Sequence, residues 1–330
     1  MLDIQHHQVP NHHGWTLQLR QARHRTLHNA GLAPIAIIPG YGMNSFLFGF
    51  HPRGTSMELC LAEAGFEVWS LNLRAQGGSR PLSPDAEPPS FAAFAGVDLP
   101  AALDFIARQT ASPGHPVSLI GCSLGGTIGY TYLALHPHQS RVGALVTIGS
   151  PIHWNRPPLL FKLLGVRPDL IERIKLRGTR PMVRAALPLL QRLPRLAHLY
   201  LNPAHVDLHA LHELARTVEN PQPRLNRELS EWLAAGSLTV RGRNIAEALH
   251  AVTTPLLVTL ANRDGIVPTD SVSSVRSRWG GRADELVVGT PDDWYSHADL
   301  FIGNEAPAKV FAPIAAWLTE RSEERSAERR

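Results

Sequence analysis

Gly121-Cys122-Ser123-Leu124-Gly125 is the stretch of this sequence with the most definite chemistry in it. A G-x-S-x-G pattern makes a sharp turn from a strand into a helix and lifts the serine hydroxyl clear of the sheet. The serine on such a turn is strained, and glycines at 121 and 125 remove the side chains that would crowd it. The pattern arises by chance about once in ten chains of this composition, so its flanks decide. PVSLIG (116–121) reads as a buried strand ending at the motif, and GGTIGYTYLALHP reads as a helix starting there. Serine N-caps are common in such a place, and that plainer role for Ser123 is set aside only by its partners.

A serine hydroxyl is a poor nucleophile near neutral pH; it needs a base to take its proton and a carboxylate to orient that base. Where a serine elbow of this kind is used, the acid and then the histidine follow it in the chain. Asp264 stands in ANRDGIVP, just after the apolar run PLLVTLAN, and His297 stands in DDWYSHADLF, after ADELVVG. Both fall beyond the carboxyl ends of strands, where open α/β sheets bind ligands. An aspartate before glycine is otherwise an ordinary turn residue, and a single histidine among 17 is otherwise unremarkable. Their order and placement together single them out. Asp270, Asp292 and Asp293 are the rival acids; Asp270 falls inside the next helix, and the other two directly precede the histidine loop. Acyl transfer also needs donors for the developing oxyanion. The backbone N–H of Leu124 is one, and the N–H of Tyr41, in Pro39-Gly40-Tyr41-Gly42, is the other.

Positioning these residues takes an alternation of strands and helices. An exposed antiparallel strand is expected over 16–28. Strands follow at PIAIIPG (34–40), FEVWSLNLR (66–74), PVSLIG, RVGALVTIGSP (141–151), PLLVTLANRD (255–264) and ADELVVG (283–289). Helices are expected at about 55–64, 91–109 and 306–319. This order predicts an α/β fold with a mostly parallel sheet flanked by helices. From 152 to 250 the alternation stops and helical pieces take over: LLFKLLG, PMVRAALPLLQRLPRLAHLYL, VDLHALHELARTV and RELSEWLAAG. That segment is expected to be an inserted helical cap between core segments 1–151 and 251–320, with 321–330 a charged, mobile tail.

Composition narrows the function classes. A chain of 330 residues with 44% hydrophobic content can bury one large core. Its net charge of +4 lacks the clustering of a nucleic-acid module, so no nucleic-acid partner is expected. No run is long and apolar enough for a membrane span, and the N-terminus is too polar for a signal peptide, which predicts a cytoplasmic protein. The two cysteines, Cys60 and Cys122, have neither metal nor redox spacing, so free thiols are expected, with no metal and no cofactor. Between Arg156 and Arg195 there are ten Lys or Arg against two acids. This basic, leucine-rich stretch suits an apolar acyl wall with a positive rim, open to transient contact with a lipid surface, although an amphipathic helix over any core carries the same pattern.

From about Trp15 to Leu318 the sequence resembles the α/β-hydrolase superfamily. IIPGYGMNSFLFG is similar to its His-Gly oxyanion loop, with Pro39 in place of the histidine. FEVWSLNLRAQGGS resembles its D-x-R-G-x-G-x-S loop, with Asn72 for the aspartate and Ala75 for the first glycine. WSLNLR and HADLF resemble lysosomal-type acid lipases, whereas GCSLGG and the approach to ANRDGIVP resemble polyhydroxyalkanoate synthases. The second resemblance implies a cysteine nucleophile, but Ser123 occupies that position here and Cys122 precedes it. The resemblance as a whole implies an α/β-hydrolase fold and an esterase- or lipase-like hydrolysis of small or lipid-like esters. Acyl transfer to another acceptor, and a non-catalytic binding protein on the same fold, are the other readings.

Overall fold

A computed structural model describes residues 1–138, 140–154, 177–192 and 198–328. Its centre is a nine-stranded sheet. In chain order the strands are β1 (Leu2–Pro10), β2 (Trp15–His24), β3 (Ile35–Ile38), β4 (Val68–Asn72), β5 (Arg80–Pro81), β6 (Val117–Cys122) and β7 (Val142–Ile148). A separate two-residue hairpin, β8 (Thr239–Val240) with β9 (Arg243–Asn244), precedes β10 (Leu256–Ala261) and β11 (Ala283–Val288). Across the sheet the order is β1-β2-β4-β3-β6-β7-β10-β11, with β5 paired to β2. From β4 to β11 every pairing is parallel, and β1 and β2 add an antiparallel edge. The expected α/β, mostly parallel sheet is therefore observed; β1, with the polar sequence LDIQHHQVP, is a strand that the sequence reading did not anticipate.

The central strands are buried on both sides because their side chains alternate between two apolar layers. Ala36, Ile38, Leu119 and Leu145 join one layer with Leu103 and Ile106 of the Leu99–Gln109 helix and Ile128 of the Leu124–Leu135 helix. Ile35, Ile37, Ile120 and Val146 join the other with Leu61 of the Met57–Glu63 helix and Leu318 of the last helix. Each fully buried aliphatic side chain contributes roughly 1.5–3 kcal/mol, so these layers fix the strand register on which the loops stand. β3 lies between β4 and β6, so the chain winds outward from it in both directions. A crevice opens at the carboxyl ends of strands at such a reversal, and here those ends lead into Gly40 and Ser123.

The last helix runs over Ala312–Glu328, and Arg321 and Ser322 are buried in it. The segment 321–330 was expected to be a mobile tail; its described residues, to Glu328, continue the helix, where Arg321 pairs with Glu324 at 2.8 Å and stacks on Trp317. Between β7 and β10 the described chain is mostly helical, with helices Thr179–Arg192 and Pro223–Ala235, and it also forms the β8–β9 hairpin that the pattern did not suggest. LLFKLLG and much of the basic 156–195 stretch lie outside the described residues. No described helix is long and apolar enough to cross a membrane.

Candidate active site

Ser123 sits at the junction of β6 and the Leu124–Leu135 helix with φ +52° and ψ −120°, a conformation that side chains rarely adopt. Neighbouring glycines make the turn possible. A Cβ on Gly121 would stand 2.3 Å from Gly126 Cα, and one on Gly125 would stand 2.3 Å from the Ile38 carbonyl oxygen. The Ser123 N–H donates to the Ile148 carbonyl at 2.7 Å, which locks the turn against the end of β7. The hydroxyl makes no capping bond to the helix, so the N-cap role is not the one it plays. Cys122 lies one residue earlier, fully buried inside the sheet, and desolvation pushes its thiol well above the usual range. It is not poised as a thiolate.

Asp264 follows β10 and His297 follows β11, and the fold brings the two side chains together: His297 Nδ1 lies 2.6 Å from Asp264 Oδ2, with both side chains almost wholly buried. The other carboxylate oxygen, Oδ1, accepts the N–H groups of Ile266 and Val267, each at 2.8 Å. One oxygen is thus fixed by the backbone and the other is left for the imidazole. Tyr200 and Phe301 flank the ring, at 6.1 and 6.0 Å between centroids. Burial, reinforced by the charge of Asp264, pushes the Tyr200 phenol up to about 12. Of the rival acids, Asp293 pairs with His205 at 2.7 Å and Lys309 at 3.3 Å. Asp270 is in the Thr269–Ser273 helix, and Asp292 is exposed, while the ring bonds Asp264.

Gly149, directly after β7, is the space into which the imidazole fits. It has φ +59°, and a Cβ there would stand 2.9 Å from His297 Cε1 and 3.1 Å from Nδ1. Since the adjacent Ile148 carbonyl holds the Ser123 N–H, serine and histidine both contact one short segment, Ile148-Gly149. Among the described residues the imidazole bonds only to Asp264, and the serine–histidine hydrogen bond is open. Such contacts are often long before substrate binds and shorten in the complex.

Gly40, Tyr41 and Leu124 border one narrow pocket, whose apolar side is Phe94, Ile128 and Leu225. A Cβ on Gly40 would come within 3.1 Å of Ser123 Cβ, so the Pro39–Gly42 loop passes directly over the serine. Neither the Tyr41 nor the Leu124 backbone N–H is taken by another described residue. The Tyr41 hydroxyl donates to Asn226 of the Pro223–Ala235 helix. Glu219 ties the same loop to its neighbours: its N–H donates to the Gly42 carbonyl at 2.7 Å, and its carboxylate accepts from Gly77 N–H at 3.0 Å and from the side chain of Asn44 at 2.5 Å.

The two positions that depart from the D-x-R-G-x-G-x-S pattern, Asn72 and Ala75, have definite local roles. Asn72 accepts the Ser45 N–H at 2.8 Å, and Ala75 takes φ +60° where glycine is the usual residue. Arg74 is fully buried and grips Asp98 through Nε at 2.9 Å and Nη2 at 2.8 Å. Two residues of the site were not singled out from the sequence. Gly149 has only its place after a strand as a signal, and Asp299 only its spacing of two from His297.

Comparison with known proteins gives the wider setting. Residues 33–292 match the family described as alpha/beta hydrolase fold. The chain is 32% identical over 126 residues to lipase member N of Mus musculus, covering 36% of this chain and 31% of that protein. It is 36% identical over 129 residues to gastric triacylglycerol lipase of Mus musculus, again covering 36% and 31%. The match thus spans under a third of the length of these curated lipases. Among solved structures, a 2-hydroxy-6-oxo-6-phenylhexa-2,4-dienoate hydrolase from a Rhodococcus strain superposes with a TM-score of 0.62 at 18% identity, covering 97% of this chain and 99% of that one. An esterase from Exiguobacterium antarcticum gives a TM-score of 0.55 at 15% identity, covering 95% and 98%.

Proposed function

Because this chain belongs to the alpha/beta hydrolase fold family, we propose that it is a serine hydrolase that cleaves carboxylic esters through an acyl-enzyme on Ser123. The observation that carries the reading is the buried His297–Asp264 hydrogen bond of 2.6 Å beside the strained turn that holds Ser123. In this mechanism Ser123 Oγ attacks the ester carbonyl carbon while His297 Nε2 takes its proton. Asp264, held by the Ile266 and Val267 N–H groups, keeps the proton on Nδ1 and stabilises the imidazolium. The N–H groups of Tyr41 and Leu124 receive the negative charge of the tetrahedral oxygen. Collapse of that intermediate expels the alcohol, which leaves with the proton from His297. Water, deprotonated by His297, then attacks the acyl-serine; the acid departs and Ser123 recovers its proton.

Residues 152–250 act in this reading as a cap. Support comes from the contacts of its described parts with the two site loops: Asn226 with Tyr41, Glu219 with Asn44, and Tyr200 against His297. The apolar lining by Phe94, Ile128 and Leu225, with the likeness to triacylglycerol lipase, favours an ester with a hydrocarbon acyl chain of medium or greater length. The test is a p-nitrophenyl ester series of rising chain length, run beside fluorophosphonate labelling, with wild type and Ser123→Ala. Wild type should hydrolyse the longer esters best and be labelled at Ser123, and the variant should lose both. Activity unchanged in Ser123→Ala removes the serine from the mechanism, and preference for acetate removes the long-chain substrate. Added alcohol or acyl-CoA separates hydrolysis from acyl transfer, by product.

A further inference from the structure

Two residues beyond His297 in the chain, the carboxylate of Asp299 is fully buried and is bonded to two backbone N–H groups. Its Oδ2 accepts the Ser296 N–H at 2.7 Å and the Asn202 N–H at 2.9 Å, and its Oδ1 lies 3.0 Å from the same Asn202 nitrogen. Ser296 is the residue before the histidine. Asn202 belongs to the segment 198–206 that returns from the long insertion, far away in sequence. One carboxylate therefore clamps the histidine loop to the insertion.

The surrounding contacts run along the same seam. The Ala298 N–H donates to the Tyr200 carbonyl at 2.8 Å, Asn202 Nδ2 to the Trp294 carbonyl at 2.8 Å, and the Asn304 N–H to the His205 carbonyl at 2.6 Å. Gly265, next to Asp264, has no room for a Cβ because Leu199 lies against it. Most of these bonds join backbone to backbone, and a half-exposed pair, His205 with Asp293 at 2.7 Å, crosses the same seam. Asp299 differs in being a fully buried carboxylate that gathers backbone donors from both sides, the stronger kind of hydrogen bond when ionised. Deleting it leaves two buried N–H groups without a partner, each costly to bury alone.

Resting on the reading of His297 as the base, we propose that Asp299 is a positioning residue: by bonding Ser296 and Asn202 at once it fixes the imidazole of His297 and couples the insertion to the catalytic site. It does not touch substrate. Asp264 and His297 are the charged or titratable groups that face it.

The test compares Asp299→Asn, whose amide oxygen can take the place of Oδ2, with Asp299→Ala, which keeps no acceptor. Steady-state kinetics at pH 8 are combined with the downfield proton signal of His297 Nδ1–H, identified by its loss in Asp264→Ala. In Asp299→Ala, kcat should fall about 100-fold with KM changed less than about threefold, as a displaced base predicts, and the downfield signal should shift or broaden. In Asp299→Asn both should stay near wild type, with kcat within about fivefold. Asp299→Ala that is folded by circular dichroism and keeps the wild-type signal and kcat overturns the proposal. If Asp299→Ala does not fold, Asp299→Asn decides: loss of its downfield signal, or a drop in kcat of about 100-fold, shows that more than the hydrogen-bond clamp is at work and overturns it. The proton signal needs no substrate, so it still reports on positioning if no ester is turned over.

Discussion

Replacing Gly149 by alanine presses a methyl group against the imidazole of His297, and the consequence can be worked from the coordinates. The new Cβ would lie 2.9 Å from Cε1, whereas ordinary carbon contacts begin near 3.5 Å, so the ring or the strand end must yield by about 0.6 Å. The ring has little freedom to yield without loss, because Nδ1 is tied to an aspartate that two backbone N–H groups hold in place. A misplacement of about 1 Å costs on the order of 100-fold in rate. For about 0.6 Å, scaling in proportion, we expect kcat/KM to fall about 15-fold, or about 1.6 kcal/mol of transition-state stabilisation. The left-handed backbone adds a separate cost of about 1 kcal/mol to stability. Gly236 separates the two effects: it has φ +70° with nothing within 4 Å of its Cβ site. Gly236→Ala should therefore lose similar stability and keep full activity. The assay is kcat/KM on one p-nitrophenyl ester, with thermal unfolding and the rate of fluorophosphonate labelling followed in parallel. If Gly149→Ala loses stability but stays within about threefold of wild-type kcat/KM, the placement of the base beside Gly149 is not what activates Ser123.

Asp264→Asn should lower kcat by about 10⁴-fold with the fold intact, because the amide keeps the Ile266 and Val267 bonds but favours the wrong tautomer of His297; a loss below about tenfold in esterase assays contradicts its role. Ala75→Gly should raise stability by about 0.5 kcal/mol, since relief of the φ +60° strain exceeds the added flexibility of the unfolded chain; denaturant unfolding measures it, and a loss of stability counts against the strain. Burial pushes the carboxyl of Asp299 up from 3.8 to about 7. A group that holds its proton more tightly when folded stabilises the fold below its ordinary value, and this contribution fades as pH rises through the folded value. The stability of wild type relative to Asp299→Asn should therefore fall between pH 3.8 and about 7; a difference that is flat with pH in thermal melts rules this out.

The elbow was legible in the sequence because its chemistry is local. Gly121 and Gly125 flank Ser123, an apolar strand enters and a small-residue helix leaves, and each feature acts over fewer than ten residues. The order of the strands along the chain was legible for the same reason, since alternation and apolar runs report burial directly. β1 was not, because an edge strand with one covered face can carry a polar sequence such as LDIQHHQVP. The helix beyond 321 was missed because its charges read as solvated, while Arg321 finds Glu324 and Trp317 only once the helix docks. Contact between Asp264 and His297 spans 33 residues, and only the pairing of β10 with β11 brings their loops side by side. The need for glycine at 149 and for a carboxylate at 299 depends on what stands opposite each of them: an imidazole in one case and the N–H of Asn202 in the other. Residue types and local periodicity determined which groups could react. Which of them meet, and what keeps them apart or together, depended on long-range packing that no short window of sequence records.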